Sequence, residues 1–152
     1  MISTAPTTLI PHLRCRNASD AVSFYEKAFG AQTSGLIKAP NGMVMHAELK
    51  VKEATLYLAD DMMPHDGVEN SLQVAGPRVT LYLRVDDCDS LFQQAVAAGC
   101  KVHMPLQNLF WGDRLGVLAD PFGHNWEIAT TIRAVKNDEL QDSLSTVQVQ
   151  RG

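Results

Sequence analysis

Glu127 is the ionisable residue whose sequence surroundings point most directly to chemistry. It lies in the segment DPFGHNWEIAT (residues 120–130), where it alternates with the apolar residues Trp126 and Ile128. Successive side chains of a strand point to opposite faces, so Trp126 and Ile128 are expected under a helix layer and Glu127 on the other face. There its carboxylate could ligate a metal, act as a catalytic base or line a binding pocket.

A second pair of polar side chains shows the same alternation. His46 and Glu48 alternate with Ala47 and Leu49 in the segment VMHAEL. The apolar pair predicts contact with a helix layer, which leaves His46 and Glu48 on the open face. Imidazole and carboxylate groups ligate zinc, nickel, iron or manganese, but they also hydrogen-bond to organic molecules and to water. The residue types leave both uses open.

An aromatic and basic segment, FWGDR (residues 110–114), precedes the last predicted strands. Trp111 could stack on a planar ligand, and Arg114 could clamp a carboxylate or a phosphate. The alternative pairs Arg114 with Asp113 or Asp120 and packs Trp111 against the rim of the domain or a dimer partner. The turn that Asp120 opens is interpreted as structural, with its carboxylate accepting backbone N–H groups.

Composition argues against several other classes of function. The 152 residues carry a net charge of −4 and no basic stripe, which argues against nucleic-acid binding. The sequence has no apolar run of about 18 residues that would predict a membrane helix. We expect a cytoplasmic protein, because no signal-peptide pattern is seen. The three cysteines lack C-x-x-C spacing and are expected to be free thiols.

An internal repeat organises the chain into two halves. Residues 42–60 align with residues 112–130 without a gap at an offset of 70, and the same offset relates residues 10–15 to residues 80–85. The connection between the halves is predicted over residues 61–77. We therefore expect one domain over residues 1–133, with modules at about 8–60 and 78–131, followed by a polar tail over residues 134–152.

Each half is predicted to contain one helix and four strands. Residues 19–29 and 87–98 have helical spacing, open on Ser19 and on Asp87 or Asp89 as capping residues, and stop before a glycine. A short helix is also predicted over Lys136–Leu144. The predicted strands cover residues 8–15, 32–38, 43–51 and 54–60, then 78–85, 101–104, 114–119 and 125–131.

The doubled βαβββ order, together with three sequence segments, resembles the vicinal oxygen chelate superfamily of glyoxalase I, bleomycin-resistance proteins and extradiol dioxygenases. The segments are SFYEKAFGA (residues 23–31), VMHAEL (44–49) and FWGDRLG with DPFGHNWEIAT (110–130), and they resemble in particular its PhnB-like proteins. The resemblance covers residues 8–131. It implies an α+β fold in which two βαβββ modules form a half-barrel cup, and it implies a homodimer.

Metal-dependent relatives chelate one divalent ion with four side chains from the first and last strands of the two modules. The resemblance places these positions at Ile10, Tyr57, Thr80 and Glu127. Glu127 has the expected chemistry. Ile10 has no donor atom, and the hydroxyl groups of Tyr57 and Thr80 are weak neutral ligands. A catalytic zinc site usually has three protein ligands, so the inherited metal chemistry is not expected to carry over.

Other residues could restore a metal site. His12 shares the strand face of Ile10, and it could converge in the cup with His46, Glu48 and Glu127. Such a set would suit zinc, nickel, manganese or iron. The same groups could instead hydrogen-bond with one another and with water in a polar pocket, and we favour this pocket without a cofactor.

We therefore expect a PhnB-like protein that binds a small organic molecule, without nucleic-acid or membrane partners. The expected ligand contacts are His12, His46, Tyr57, Trp111, Arg114 and Glu127. The alternative is a divalent-metal-dependent lyase, isomerase or dioxygenase of glyoxalase type, in which the ion would polarise vicinal oxygens of the substrate. In a metal-free enzyme, Glu127 could act as the general base if burial raised its pKa.

Overall fold

The computed structural model describes residues 6–61 and 79–142. The chain divides into two compact units, Met1–Asp66 and Gly67–Gly152. Each unit is built from one βαβββ module, so the α+β fold with two such modules predicted from the sequence is confirmed. Most of the predicted connection, from residue 62 to residue 77, lies outside the described residues.

The first unit contains one helix, α1, and a four-stranded mixed sheet. The sheet has the order β1-β4-β3-β2, with β1 parallel to β4 and the other neighbours antiparallel. The elements are β1 (His12–Cys15), α1 (Ala18–Phe29), β2 (Gln32–Lys38), β3 (Val44–Val51) and β4 (Ala54–Asp60).

The second unit repeats this topology with helix α2 and the sheet order β5-β8-β7-β6. Its elements are β5 (Thr80–Arg84), α2 (Cys88–Ala98), β6 (Lys101–Asn108), β7 (Asp113–Ala119) and β8 (Asn125–Thr131). Residues 137–142 are helical, within the short helix predicted for the tail, and the end of that predicted helix falls outside the described residues.

Two differences between predicted and observed strands occur at prolines. The first strand begins at His12 instead of residue 8, after Pro11, which has no backbone N–H to donate. Strand β6 continues to Asn108 instead of ending at residue 104, although it contains Pro105. It lies at the sheet edge, where proline is tolerated, and its pairing with β7 is irregular around Pro105.

The start of α1 also differs from the prediction. Its N-cap is Asn17, in the left-handed region at φ 59°, and not Ser19, which lies inside the helix. The Asn17 side chain accepts a hydrogen bond from the backbone N–H of Asp20. Asparagine tolerates both the positive φ and the capping geometry better than most residues. Helix α2 has the predicted N-cap, Asp87, whose carboxylate accepts from the Ser90 N–H.

Each helix packs on one face of its own sheet, and that layer forms the hydrophobic core of the unit. In the first unit Tyr25 of α1 and Leu49 and Leu58 of the sheet are fully buried. In the second unit, Trp126 and Ile128 are buried as the alternation predicted. We call the opposite side of each sheet its helix-free face.

The repeat offset of 70 residues holds for the first and last strands of the modules. His12 pairs with Tyr57, and the corresponding Tyr82 pairs with Glu127. After Val44 the offset between β3 and β7 is one residue smaller, because the pairing of β2 with β3 shifts register between Ile37 and Lys38. The turn between β7 and β8 is longer than the turn between β3 and β4 and restores the offset of 70. Residues 42–60 and 112–130 therefore correspond only with this local shift.

Candidate functional site

The helix-free face of the first sheet brings together four polar side chains from three strands. His12 of β1, His46 of β3 and Tyr57 of β4 have ring centroids 5.9 Å (His12–His46), 6.2 Å (His12–Tyr57) and 4.7 Å (His46–Tyr57) apart. Glu48 joins them through its Oε1, which lies 3.2 Å from Nε2 of His46. We call these four residues the first-sheet cluster. His12, His46 and Tyr57 were all predicted ligand contacts.

Strand alternation explains why these side chains share a face. Ala47 and Leu49 are fully buried on the helix side of β3. His46 and Glu48 alternate with them along the strand and therefore point to the helix-free face. The side chains of His46 and Glu48 keep 31% and 42% of their surface exposed. A solute can therefore reach the cluster, and the contacts among its rings limit their movement.

Two members of the cluster have unused hydrogen-bonding groups. In the described part of the chain, neither the His12 ring nor the Tyr57 hydroxyl has a hydrogen-bond partner. Partial burial lowers the pKa of His12, and the nearby charges of Arg14 and His46 lower it further. His12 is accordingly a neutral imidazole at neutral pH, with one nitrogen that donates and one that accepts.

The helix-free face of the second sheet carries a different network, anchored on a buried carboxylate. Asp113, at the start of β7, is 4% exposed and accepts hydrogen bonds from the Tyr82 hydroxyl and from Arg84, whose Nη2 lies 3.3 Å from Oδ2. Hydrogen bonding by Thr131 acts to lower the pKa of Asp113, and hydrogen bonding by Trp111 acts to lower the pKa of Tyr82. The Arg84 guanidinium also lies over the Tyr82 ring, 5.5 Å from its centroid.

Protonation equilibria reflect this network. Burial acts to raise the pKa of Asp113, but hydrogen bonds from Tyr82, Thr131 and Arg84 outweigh it and hold that pKa below its ordinary value. Burial and the Asp113 hydrogen bond raise the pKa of Tyr82. Tyr82 is therefore a protonated donor to an ionised carboxylate at neutral pH.

Glu127 lies on the same face, next to this network. In the sheet ladder it stands between Tyr82 of β5 and Val117 of β7. Its side chain is half-buried, and its carboxylate has no hydrogen-bond or ion-pair partner among residues 6–61 and 79–142. A carboxylate of this kind is open to a ligand.

Arg114 lies on the helix side of β7, opposite the face that carries Glu127. Its Nε and Nη2 both lie 2.9 Å from the carboxylate of Asp89 in α2, and its Nη1 lies 3.1 Å from Oδ1 of Asn108. This bidentate pair lowers the pKa of Asp89 and raises that of Arg114. The guanidinium is thus engaged with Asp89, whereas the sequence suggested Asp113 or Asp120 as a protein partner.

The remaining predicted positions have structural surroundings. Asp120 is buried and accepts from the N–H groups of Phe122 and His124 and from the Trp126 indole, so its predicted structural role is confirmed. Ile10 precedes β1, and Thr80 pairs with Asn125 at the exposed start of β5.

Sequence reasoning missed Tyr82, Arg84 and Asp113. Alternation in TLYLR places Tyr82 and Arg84 on one face, and this signal was available in the sequence. Their convergence on Asp113 was not, because the carboxylate belongs to a strand two positions away in the sheet. Only the register of β5, β8 and β7 brings the three together.

The donor set does not fit the metal centre of the metal-dependent relatives. Among residues 6–61 and 79–142, no group of three or more His, Cys, Asp or Glu side chains is arranged to hold one ion. The four positions that the resemblance indicated offer one carboxylate, two hydroxyl groups and an isoleucine. His46, the best additional donor, is already hydrogen-bonded to Glu48.

Comparison with known proteins identifies the family. Residues 7–128 match the family model of the Glyoxalase/Bleomycin resistance protein/Dioxygenase superfamily. The chain belongs to this superfamily. Uncharacterized proteins of Mycobacterium bovis and of Mycobacterium tuberculosis strain H37Rv are each 40% identical to it over 140 residues, which cover 91% of this chain and 92% and 82% of those proteins.

Solved structures agree with the fold. TioX from Micromonospora sp. ML1 is 24% identical, with a TM-score of 0.64 over 83% of this chain and 99% of TioX. A PhnB protein from Bacillus cereus is 17% identical, with a TM-score of 0.61 over 83% and 99% of the two chains. These likenesses show the fold. None of the helices described is long and apolar enough to cross a membrane.

Proposed function

We propose that this superfamily member binds a small organic molecule on the helix-free face of the first sheet, through the first-sheet cluster. The observation that carries the proposal is a set of close, partly exposed rings with unused hydrogen-bonding groups on His12 and Tyr57. Such groups lose no internal partner when a ligand arrives, so its hydrogen bonds come without the cost of breaking others.

The cluster favours a planar molecule that carries both donors and acceptors. Tyr57 and the neutral His12 can each donate and accept, while Glu48 and His46 already satisfy each other in part. The three rings supply apolar surface with defined orientation, since their planes are inclined by 72° to 86° to one another. A flat ligand can stack on one ring and meet the edges of the others.

The proposed function is binding without turnover. A metal-dependent lyase, isomerase or dioxygenase remains the alternative, but the donor set does not fit its ion. Glu127 as a catalytic base stays a prediction from the sequence. A cytoplasmic homodimer is proposed with the function, supported by the family resemblance and by three buried free cysteines, which suit a reducing compartment.

The test is a ligand screen with variants of the cluster. Planar fragments that carry a donor and an acceptor are screened by saturation-transfer NMR against the wild-type protein, His12→Ala and Tyr57→Phe. His103→Ala, an exposed histidine of β6, is the matched control. We expect bound fragments to lose about fivefold to tenfold in affinity in both cluster variants, the value of about one hydrogen bond, and to be unaffected by the control.

Two outcomes contradict the proposal. One is fragments that bind equally well to wild type and to both cluster variants. The other is stoichiometric binding of zinc, nickel, manganese or iron(II) that His12→Ala and Glu127→Gln abolish, seen by metal analysis and thermal melting. That result would favour the metal-dependent alternative.

A further inference from the structure

A cavity of about 250 Å³ lies on the helix side of the first sheet, between α1 and the outer strand β2. Positions 19, 22, 23 and 26 of α1 line it, at the spacing that places residues on one face of a helix. Its polar lining consists of three hydroxyl groups and two opposite charges, from Ser19, Ser23, Thr33, Glu26 and Lys38. The first-sheet cluster lies on the opposite face of the sheet, so the cavity is a separate site.

The two charges belong to opposite ends of the cavity. Strands β1 and β2 are parallel through their pairing with β4 and β3, and α1 connects them, so α1 runs antiparallel to β2. Thr33, near the start of β2, donates to Oε1 of Glu26, towards the end of α1, at 3.2 Å. Lys38, at the end of β2, therefore lies towards Ser19, in the first turn of α1. Between Ser19 and Glu26 the helix rises by about 10 Å.

The second unit shows how the equivalent end of its own helix and edge strand is satisfied internally. The Arg114 guanidinium bridges the Asp89 carboxylate, at 2.9 Å, and the Asn108 amide oxygen, at 3.1 Å. At the repeat offset, the residues of the first unit that correspond to Arg114, Asp89 and Asn108 are Val44, Ser19 and Lys38. A single planar group thus spans, in the second unit, the two positions that Ser19 and Lys38 hold in the first.

The first unit has no such internal bridge, because Val44 is apolar and fully buried. Among residues 6–61 and 79–142, the Lys38 ammonium and the Ser19 hydroxyl have no hydrogen-bond or ion-pair partner, and Lys38 and Glu26 do not pair with each other. The sign of the charge on the helix and the edge strand is also reversed, since the second unit has the carboxylate of Asp89 there and the first has the ammonium of Lys38. An anionic group between Ser19 and Lys38 would therefore take the place that the Arg114 guanidinium has in the second unit.

We propose that this cavity binds an ω-amino carboxylate, a small zwitterion whose carboxylate and ammonium groups are separated by an unbranched apolar chain. The carboxylate accepts from Lys38 and Ser19, and the ammonium group donates to Glu26. The chain lies on the apolar surface of Val22 and Leu36. An α-amino acid carries both charges at one end and cannot reach Lys38 and Glu26 together.

Four probes separate these contributions: 6-aminohexanoate, hexanoate, hexylamine and norleucine, the α-amino isomer of 6-aminohexanoate. The readout is the set of backbone amide signals of Ser23, Leu36 and Lys38 in ¹H–¹⁵N NMR spectra of the full chain. The amide signals of the first-sheet cluster and of the second unit serve as internal references.

We expect 6-aminohexanoate to shift the cavity signals in a saturable way and to bind more tightly than the other three probes. Lys38→Met should weaken the binding of 6-aminohexanoate and hexanoate by about threefold to fivefold, as for an exposed charge pair, and spare hexylamine. Glu26→Gln should weaken 6-aminohexanoate and hexylamine and spare hexanoate. Ser19→Asp, which introduces the carboxylate of the second unit, should act as Lys38→Met does, because the new carboxylate pairs with Lys38 and repels that of the ligand.

The matched controls are Lys101→Met and Glu53→Gln, at exposed positions outside the cavity, and they should have no effect. Hexanoate binding as tightly as 6-aminohexanoate would remove Glu26 from the site, and hexylamine doing so would remove Lys38 and Ser19. Signal shifts confined to the first-sheet cluster, or no shift of the cavity signals, would overturn the assignment. Glu26 and Lys38 are exposed, so their variants are expected to fold and to give a clear answer.

Discussion

His12 of the first sheet and Tyr82 of the second occupy equivalent positions of the repeat, yet their surroundings differ. His12 touches two other rings and has unused nitrogens. Tyr82 is tied to a buried carboxylate, Asp113. The position equivalent to Asp113 in the first unit is Met43, at the end of a turn with the same backbone hydrogen bonds. The carboxylate at this position holds Tyr82 in the second unit, whereas the first unit has no carboxylate there to hold His12.

A second difference lies in the cores. Phe92 of α2 packs against Gly116 of β7, and the equivalent positions of the first unit hold Val22 in α1 and Ala47 in β3, which are both buried. A methyl group at Gly116 would overlap the Phe92 ring. The second unit therefore combines a larger helix residue with a smaller sheet residue, and the two units fill the same space in their cores with the same backbone topology.

The helix starts differ in the same manner. The last strand reaches back to the first N–H of the helix in both units, through Asp60 to Ala18 in the first and through Thr130 to Cys88 in the second. Asp60 also accepts from the backbone N–H of Val44. The charged side chain of Asp60 accepts from two backbone N–H groups, whereas the Thr130 hydroxyl accepts from one N–H and donates to the carbonyl of Val85.

The largest expected effect comes from Asp60. Asp60→Ala leaves two buried N–H groups without acceptors, and we expect it to lower the free energy of unfolding by about 3 kcal/mol. Thr130→Val removes the acceptor of one N–H and the donor to the Val85 carbonyl, both neutral hydrogen bonds, and should cost about 1.5 kcal/mol. Urea unfolding followed by circular dichroism measures both. Equal losses in the two variants would show that the charged acceptor contributes no more to stability than the hydroxyl.

Tyr82→Phe is expected to cost about 2 kcal/mol at neutral pH, because it removes a donor from the buried Asp113 carboxylate. The matched change Tyr57→Phe should cost less than about 0.5 kcal/mol, since that hydroxyl has no partner in the described residues. Urea unfolding of both variants tests the contrast between the two faces. Similar losses would contradict it.

The Tyr82→Phe difference should also depend on pH. The folded pKa of Asp113 lies below its ordinary value of 3.8, so the ionised carboxylate stabilises the protein above pH 3.8. This contribution is lost as pH falls through the folded pKa, where the folded state takes up its proton. The gap between wild type and Tyr82→Phe should therefore narrow in acid, and a gap that stays constant would show that Asp113 is not its source.

Sequence reasoning reached the first-sheet cluster because its signal is local. His46 and Glu48 alternate with buried apolar neighbours, and that pattern fixes their face without any knowledge of pairing. The same reasoning could not place Arg114, because its partner Asp89 lies on α2, 25 residues away along the chain. Which side of β7 faces the helix depends on the register with β8, and that register is set by the whole sheet.

The difference between the cores predicts a rescue. Gly116→Ala should cost about 1.5 kcal/mol because the Phe92 ring must move. Combined with Phe92→Val, which reproduces the Val22 and Ala47 pair of the first unit, the loss should be smaller than the sum of the single changes. A double-mutant cycle from thermal or urea unfolding measures this coupling. Additive losses would mean that the two units fill their cores independently of this pair.

The smallest expected effect concerns Cys100, which follows the cap of α2 as Ala31 follows the cap of α1. Both side chains are buried. Burial, with a contribution from Asp120, raises the pKa of the Cys100 thiol from 9.0 to about 12. The folded state therefore keeps this proton when the unfolded chain releases it, and stability falls as pH rises from 9.0 towards 12.

Cys100→Ala should accordingly differ from wild type by less than about 1 kcal/mol at neutral pH, where the thiol is a small apolar group in both states. At alkaline pH the variant should lose less stability than wild type, because it has no thiol to ionise on unfolding. Urea unfolding at neutral pH and near pH 10 measures the difference. If the variant loses as much stability as wild type at alkaline pH, groups other than Cys100 cause the loss. Rapid reaction of Cys100 with a thiol reagent in the folded protein would contradict its burial.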